Sequence, residues 1–381
     1  MDITSPSTII FARSPVLYSM FDSNYDEVGF NYNLDVYLWA GAIGDKPATA
    51  NYSLAKPPAL NGTAIFNISS ILTELFINYD FDFVTSLGPD DTGTVWYWVG
   101  IDYGYTYGAT TSSTALTSLP CVNGFNYYQD GISYVPTNRL GASSASYFLS
   151  DRPLDCNVPL NTSMFLFLMN NSYLTSVKIK INSGAVTTTY TLSAYSSMVL
   201  AIPSGTKEVD PMIAPALTTY SIYGVNSGGT TVTQVYNYTV IDTCLYGFRN
   251  LMFLNRYGVW DNIIIYGSQF EKIDVDRGEV FNSPLYNDST SAMTFKQRQG
   301  QYNNVNIHSR EILTVNTGWI AESWNEVIKQ MLVSPYLFDA DTLEPFIVQN
   351  SNFNYKTGLN EGLINYTFEL KYAFTAINTV Y

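Results

Sequence analysis

Hydrophobic positions along this chain alternate with polar ones far more often than they recur at helical spacing. Over residues 28–40, Leu34, Val36 and Leu38 alternate with Asp35, Tyr37 and Trp39, the pattern of a strand with one buried face. Residues 177–181 (Val-Lys-Ile-Lys-Ile) alternate as cleanly and put both lysines in water; Asn182-Ser183-Gly184 makes a turn, and residues 186–192 return as the hairpin partner. The apolar run 164–169 is short enough for a strand buried on both faces. Further strands are expected at 8–18, 64–68, 94–107, 197–202, 218–225, 305–315, 345–348 and 363–373. A hairpin is expected from 251–254 and 259–266 around the turn Asn255-Arg256-Tyr257-Gly258.

Helical spacing surfaces twice. A short helix opens at Ser69 or Ser70 and gathers Ile71, Leu72, Leu75 and Phe76 on one face. A longer one is predicted over residues 319–334, capped by Thr317 and stopped by Pro335. Its stripe is Ile320, Trp324, Val327, Ile328, Met331 and Leu332. Short strands separated by turns predict a mainly β protein: two β-sandwich-like domains, 1–118 and 119–235, then a β-sandwich domain, 236–381, carrying the packed helix. The small, polar stretch 109–118 marks the first boundary.

Composition sharpens this. Only 13% of the 381 residues are charged, about half the usual share, while 31 tyrosines with many Ser, Thr and Asn supply the polarity. Tyr, Thr and Val suit a half-buried pleated surface, and few charges suit a surface covered by neighbours. A formal net charge of −14 argues against nucleic acid as a main partner. Apolar stretches stay short of the ~18 residues a membrane helix needs, so no membrane insertion is expected. Residues 1–5 lack a basic start followed by an apolar core, and the expectation is a protein made in a reducing cytoplasm. Cys121, Cys156 and Cys244, odd in number and without close spacing, then read as free buried thiols.

Candidate chemistry is sparse. His308 is the single histidine, so a Ser-His or Cys-His system must use it, yet its alternating strand holds no nucleophile elbow. The carboxylate pairs Asp80 with Asp82, Asp90 with Asp91, and Asp274 with Asp276 sit in turn-like contexts. Residues 339–344 (Asp-Ala-Asp-Thr-Leu-Glu) resemble a calcium loop but lack its glycine and its distant bidentate Glu, and read as a polar turn. Trp96 and Trp98 share one face and Tyr97 the other. Together with Tyr103, Tyr105 and Tyr107 they suit either sugar stacking or, as favoured here, core packing on one face and an interface on the other. Lys296, Arg298 and Arg310 form a small basic group. No catalytic residue, cofactor or metal is expected. The polar loop around Gln297–Asn304 is the expected subunit contact, through Lys296, Arg298, Gln299, Gln301, Asn303 and Asn304.

Several of these segments carry a resemblance: Phe11-Ala12-Arg13-Ser14-Pro15-Val16, the run 253–261 (Phe-Leu-Asn-Arg-Tyr-Gly-Val-Trp-Asp), Thr317-Gly318-Trp319, Leu332-Val333-Ser334-Pro335 and 360–366 (Asn-Glu-Gly-Leu-Ile-Asn-Tyr). In order and spacing they resemble virion proteins of tailed phages of Bacteroidetes hosts, including crAss-like phages. The resemblance implies a non-enzymatic structural protein of the virion. It would be a subunit of a ring or tube in the tail, collar or baseplate region, with copies of itself and other tail or collar proteins as partners. A sandwich bearing one helix is also similar to the fold of phage tail tubes and rings. The competing expectation is a carbohydrate- or receptor-binding module of a surface or tail-fibre protein.

Overall fold

The computed structural model describes residues 1–6, 9–76, 96–131, 148–169, 174–181, 186–192, 199–209, 218–241, 247–283, 285–287, 293–295, 298, 300–349 and 363–376. The protein is mainly β, as the alternation predicts. Its contacts group into two compact units, and these do not follow the three-way division 1–118, 119–235, 236–381. The first gathers Met1–Asp242, Met252–Ile263 and Ser323–Pro335; the second gathers Thr243–Leu251, Ile264–Glu322 and Tyr336–Tyr381.

In the first unit, residues 1–122 build a sandwich. One sheet runs in the order Ile10–Phe11, Leu119–Val122, Trp96–Tyr107, Asn31–Trp39, Tyr52–Lys56, with Thr110–Ala115 also paired to Trp96–Tyr107. The other comprises Asp2–Thr4, Leu17–Phe21 and Thr63–Asn67. Strand Asn31–Trp39 turns Tyr32, Leu34, Val36 and Leu38 inward, where they share one apolar core with Tyr18, Met20, Ala64, Phe66 and Leu72 of the short helix Ser69–Glu74. Period-two alternation is what lets one strand feed a core and stay wet behind.

Residues 148–241 of the same unit hold a five-stranded sheet in the order Asp155–Pro159, Tyr236–Ile241, Thr219–Val225, Ser176–Ile181, Val186–Thr191. The expected hairpin is there, Val177 opposite Tyr190, with its register shifted between Ile179 and Lys180. The continuous apolar run becomes Phe165–Met169, buried at every position and paired with Val199–Pro203. Cys121 and Cys156 are free and buried; Cys244 lies outside the described residues.

The long helix is shorter than its periodicity predicts. A 3-10 turn at Glu322–Trp324 leads into Asn325–Val333. The start fails because Gly318 takes a left-handed backbone, φ 68°, and Thr317 is occupied elsewhere. Its Oγ1 donates to the Gly318 carbonyl and accepts from the Tyr366 N–H, each at 2.9 Å, rather than capping a helix. Trp319 stays exposed, and Ile320 bridges to Ile364. The stripe holds in part: Val327, Ile328 and Met331 are buried, Trp324 and Leu332 are half-buried, and Ile320 lies outside the helix. The helix belongs to the first unit, however, and not to a C-terminal domain.

The second unit contains a four-stranded sheet in the order Gln269–Phe281, Tyr302–Asn316, Thr367–Tyr372, Phe346–Val348. Ile312, Leu313, Val315, Phe346, Phe368 and Leu370 are buried at its root. The Asp339 turn is held there by Arg249, whose Nη1 donates to Oδ2 at 2.9 Å.

Val327→Asp should cost more than about 3 kcal/mol, because it places an unpaired charge among buried apolar side chains. Urea denaturation checks this; a wild-type midpoint would place the helix face elsewhere.

Candidate assembly surface and buried polar network

The segment 253–261 folds around Asn255. Its side-chain oxygen accepts from the Tyr257 N–H at 2.9 Å, and the turn closes as the Gly258 N–H donates to the Asn255 carbonyl at 3.0 Å. Gly258 sits at φ 75°, and a Cβ there would collide with the backbone of Asn123 and Gly124, so only glycine fits. The Asn255 Nδ2 donates to the Leu149 carbonyl at 2.7 Å and reaches Asp261 Oδ2 at 3.3 Å. Asp261 in turn accepts from Ser150 Oγ at 2.7 Å and pairs with Arg152 Nε at 2.6 Å.

Arg152 is 1% exposed. Burial is the strongest single influence and works against its charge, but Asp261, joined by Tyr238, Cys156 and Tyr236, outweighs burial and holds the guanidinium pKa above its ordinary value. Asp151, the neighbouring residue, faces another way. It accepts from Tyr257 Oη at 2.9 Å and from Gln330 Nε2 at 2.7 Å, while the Gln330 oxygen accepts from the Arg256 N–H at 3.1 Å. Burial first, then Asp151, pushes the Tyr257 hydroxyl pKa well up, so it stays a neutral donor. Arg256 lies over the Tyr127 ring at 4.8 Å, and Lys329 Nζ lies 3.4 Å from the same centroid. The helix, the turn and residues 149–152 are thus tied together by polar groups that lie away from solvent. The pattern along the sequence marks the turn but gives no sign of Ser150-Asp151-Arg152, an ordinary polar triplet until its partners are in place.

The other expected chemistry disperses. His308 is exposed on strand Tyr302–Asn316 opposite Asp276, and Asp274 stands opposite Arg310, so each of these two aspartates faces a basic residue across the pair. Asp80, Asp82, Asp90 and Asp91 lie outside the described residues. Asp339 Oδ1 accepts the N–H groups of Asp341 and Thr342 at 2.9 and 3.2 Å, which makes 339–344 a self-capped turn. Among the described residues no group of three or more His, Cys, Asp or Glu is placed to hold a metal ion. Burial pushes the Cys156 thiol up to about 12, away from reactivity.

Trp96 and Trp98 are 2% and 7% exposed, and the Trp98 Nε1–H donates to the Gly41 carbonyl at 3.0 Å. No open ring face remains there for a sugar. Tyr97, expected to meet a partner, is half-buried and packs edge-on against Phe76 at 5.4 Å. Both faces of this strand are therefore used internally.

What stands exposed is the far part of the hairpin Gln269–Phe281 with Tyr302–Asn316. Within this hairpin Thr367–Tyr372 pairs with residues 312–316, and the Ala376 N–H donates to the Ser309 carbonyl at 2.9 Å, leaving a two-stranded ribbon beyond. Opposed residues share a face, and on one face Val280 and Val305 are exposed while the other shows Ile273, Phe281 and Tyr302; Phe270, also exposed, lies back at the root opposite Thr314. Phe270, Phe281 and Tyr302 are 67%, 60% and 66% exposed. Of the expected contact residues, Gln301, Asn303 and Asn304 lie exposed on this ribbon and Arg298 in an exposed turn before it; Lys296 and Gln299 lie outside the described residues.

No family model matches the sequence, and no curated protein matches it. Among solved structures, dimeric latent PorU from Porphyromonas gingivalis is similar at 11% identity and a TM-score of 0.22, over 83% of this chain and 31% of that one. This chain spans less than a third of that protein's length, and so low a score carries no argument about fold or function.

Asp261→Asn should cost about 3–5 kcal/mol, since it leaves the Arg152 charge buried without a counter-ion. Chemical denaturation monitored by tryptophan fluorescence measures it. A loss below about 1 kcal/mol, the range of an exposed pair, would mean that water reaches the site.

Proposed function

We propose that the protein is a non-enzymatic structural protein of a virion. In this reading it is a subunit that joins copies of itself into a ring or tube in the tail, collar or baseplate region of a tailed phage, with other tail or collar proteins as neighbours. The ribbon carries this reading. Among the described residues nothing is layered over either face of this two-stranded ribbon, yet it exposes large apolar side chains on both. Such a surface is stable in water at high concentration only when another chain covers it. The low charge of the whole chain supports the same reading, because subunit contacts are depleted in charged residues and enriched in tyrosine. The virion assignment itself rests on the resemblance of the segments around Arg13, Arg256 and Trp319. A carbohydrate-binding role loses its best candidate platform, since Trp96 and Trp98 are closed off.

Purified protein examined by size-exclusion light scattering and negative-stain imaging should give closed rings or stacked tubes. Phe281→Asp with Tyr302→Asp should weaken assembly at least about tenfold, a modest loss for two exposed aromatic anchors, and leave the melting temperature unchanged. A wild-type protein that remains monomeric at high concentration would sink this role.

A further inference from the structure

The two edges of the ribbon differ in charge. Strand Gln269–Phe281, the outermost of its sheet, carries Glu271, Lys272, Asp274, Asp276, Arg277 and Glu279. Charged side chains on an edge strand obstruct pairing with another chain. The opposite edge, past the end of Thr367–Tyr372, reads Gln301, Tyr302, Asn303, Asn304 and Val305 without a charge. Nothing among the described residues pairs with its outer side. A bulge follows, with Asn306 at φ 51°, which ends the regular edge.

The hydrogen-bond phase shows which groups face outward. Phe281 stands opposite Tyr302, while the N–H of Asn282 donates to the Gln301 carbonyl at 2.7 Å. Tyr302 therefore belongs to a non-hydrogen-bonded pair. Its own N–H and C=O, and by alternation those of Asn304, point away from the ribbon.

The first unit offers a matching edge. Thr110–Ala115 (Thr-Thr-Ser-Ser-Thr-Ala) is also uncharged and, among the described residues, pairs on one side only, with Trp96–Tyr107 in unbroken register. Ala115 is opposite Asp102, and the N–H of Leu116 donates to the Ile101 carbonyl at 2.8 Å. By the same geometry Ala115, Ser113 and Thr111 turn their N–H and C=O outward. Another neutral edge, Val186–Thr191, has its register broken opposite Ile179 and Lys180 and offers fewer regularly spaced groups.

We propose that residues 301–305 of one copy add as a strand to Thr110–Ala115 of a second copy. The proposal rests on the assembling role given above and names the contact that carries it. Neither edge brings a like charge against the other, and the outward N–H and C=O groups on each recur every second residue. A pairing this short is small beside the roughly 1,200–2,000 Å² of a stable interface. The exposed Phe281, Tyr302, Val305 and Ile307 add apolar area around it. Because the donor and acceptor edges differ, the contact is heterologous and repeats from subunit to subunit, closing into a ring or continuing as a helix.

Asn304→Pro and Ser113→Pro each delete one outward N–H without removing a hydrogen bond inside either sheet. Asn304→Lys and Ser113→Lys place a charge on each edge instead. Mass by light scattering over a concentration series, with thermal melts as the folding control, reads the result. All four variants should weaken assembly at least about tenfold, roughly 1.4 kcal/mol, and melt like wild type. If wild type assembles and the normally melting variants assemble equally well, this edge pairing is wrong while the assembling role stands. If Thr189→Pro disrupts assembly and Ser113→Pro does not, the acceptor edge is the other one and the proposal falls. A monomeric wild type overturns both the pairing and the role.

Discussion

The charge pair Arg152–Asp261 has almost no solvent around it, and the shape of the central turn depends on it. A buried ion pair contributes little net stability, because bringing two charges out of water cancels most of their attraction. Its effect lies in the penalty for any arrangement that separates them. Asp261 can satisfy Arg152, Ser150 and Asn255 together only if residues 149–152 lie against the turn at 255–261. Asn255 then holds that turn closed, and Gly258 lets it approach Asn123. One electrostatic constraint thereby sets the path of three segments that are far apart in sequence.

The helix Asn325–Val333 reaches the same network from another side. Gln330 spans Asp151 and the backbone of Arg256, so a polar residue on the buried face of an amphipathic helix is matched by donors and acceptors rather than left to destabilise the core. This explains why the helix groups with the first unit although its neighbours in sequence group with the second. Apolar burial of Val327, Ile328 and Met331 supplies the attraction, and the Gln330 bonds select where it is satisfied.

The ribbon follows the opposite rule. Its root is covered by Thr367–Tyr372 and buries Ile312, Leu313 and Val315, with Ala376 still bonded to Ser309, but over residues 302–305 no third strand pairs with it among the described residues. Phe281 and Tyr302 meet there, edge to face at 5.6 Å. The contrast between a better-covered root and an open end places part of the exposed apolar surface of the second unit at the end of one hairpin.

Periodicity by itself determined a good deal. The two-residue alternation at Leu34, Val36 and Leu38 identifies a strand and its inner face, since a pleat permits no other arrangement. The apolar run ending at Met169 identifies a strand buried on both sides, and the spacing of Val327, Ile328 and Met331 identifies the helix face. These are local signals, written by side chains against their own backbone. Tertiary structure decided the rest. Thr317 looks like a helix cap until the N–H of Tyr366 takes its hydroxyl. Tyr97 looks outward-facing until Phe76 covers it. Nothing in Ser150-Asp151-Arg152 distinguishes a surface loop from a buried pair, because the difference is made by Asp261 and Gln330, more than 100 residues away. Local patterns record which way a side chain points; only packing across the chain decides what it meets there, and for a polar group that partner determines whether burial is tolerated.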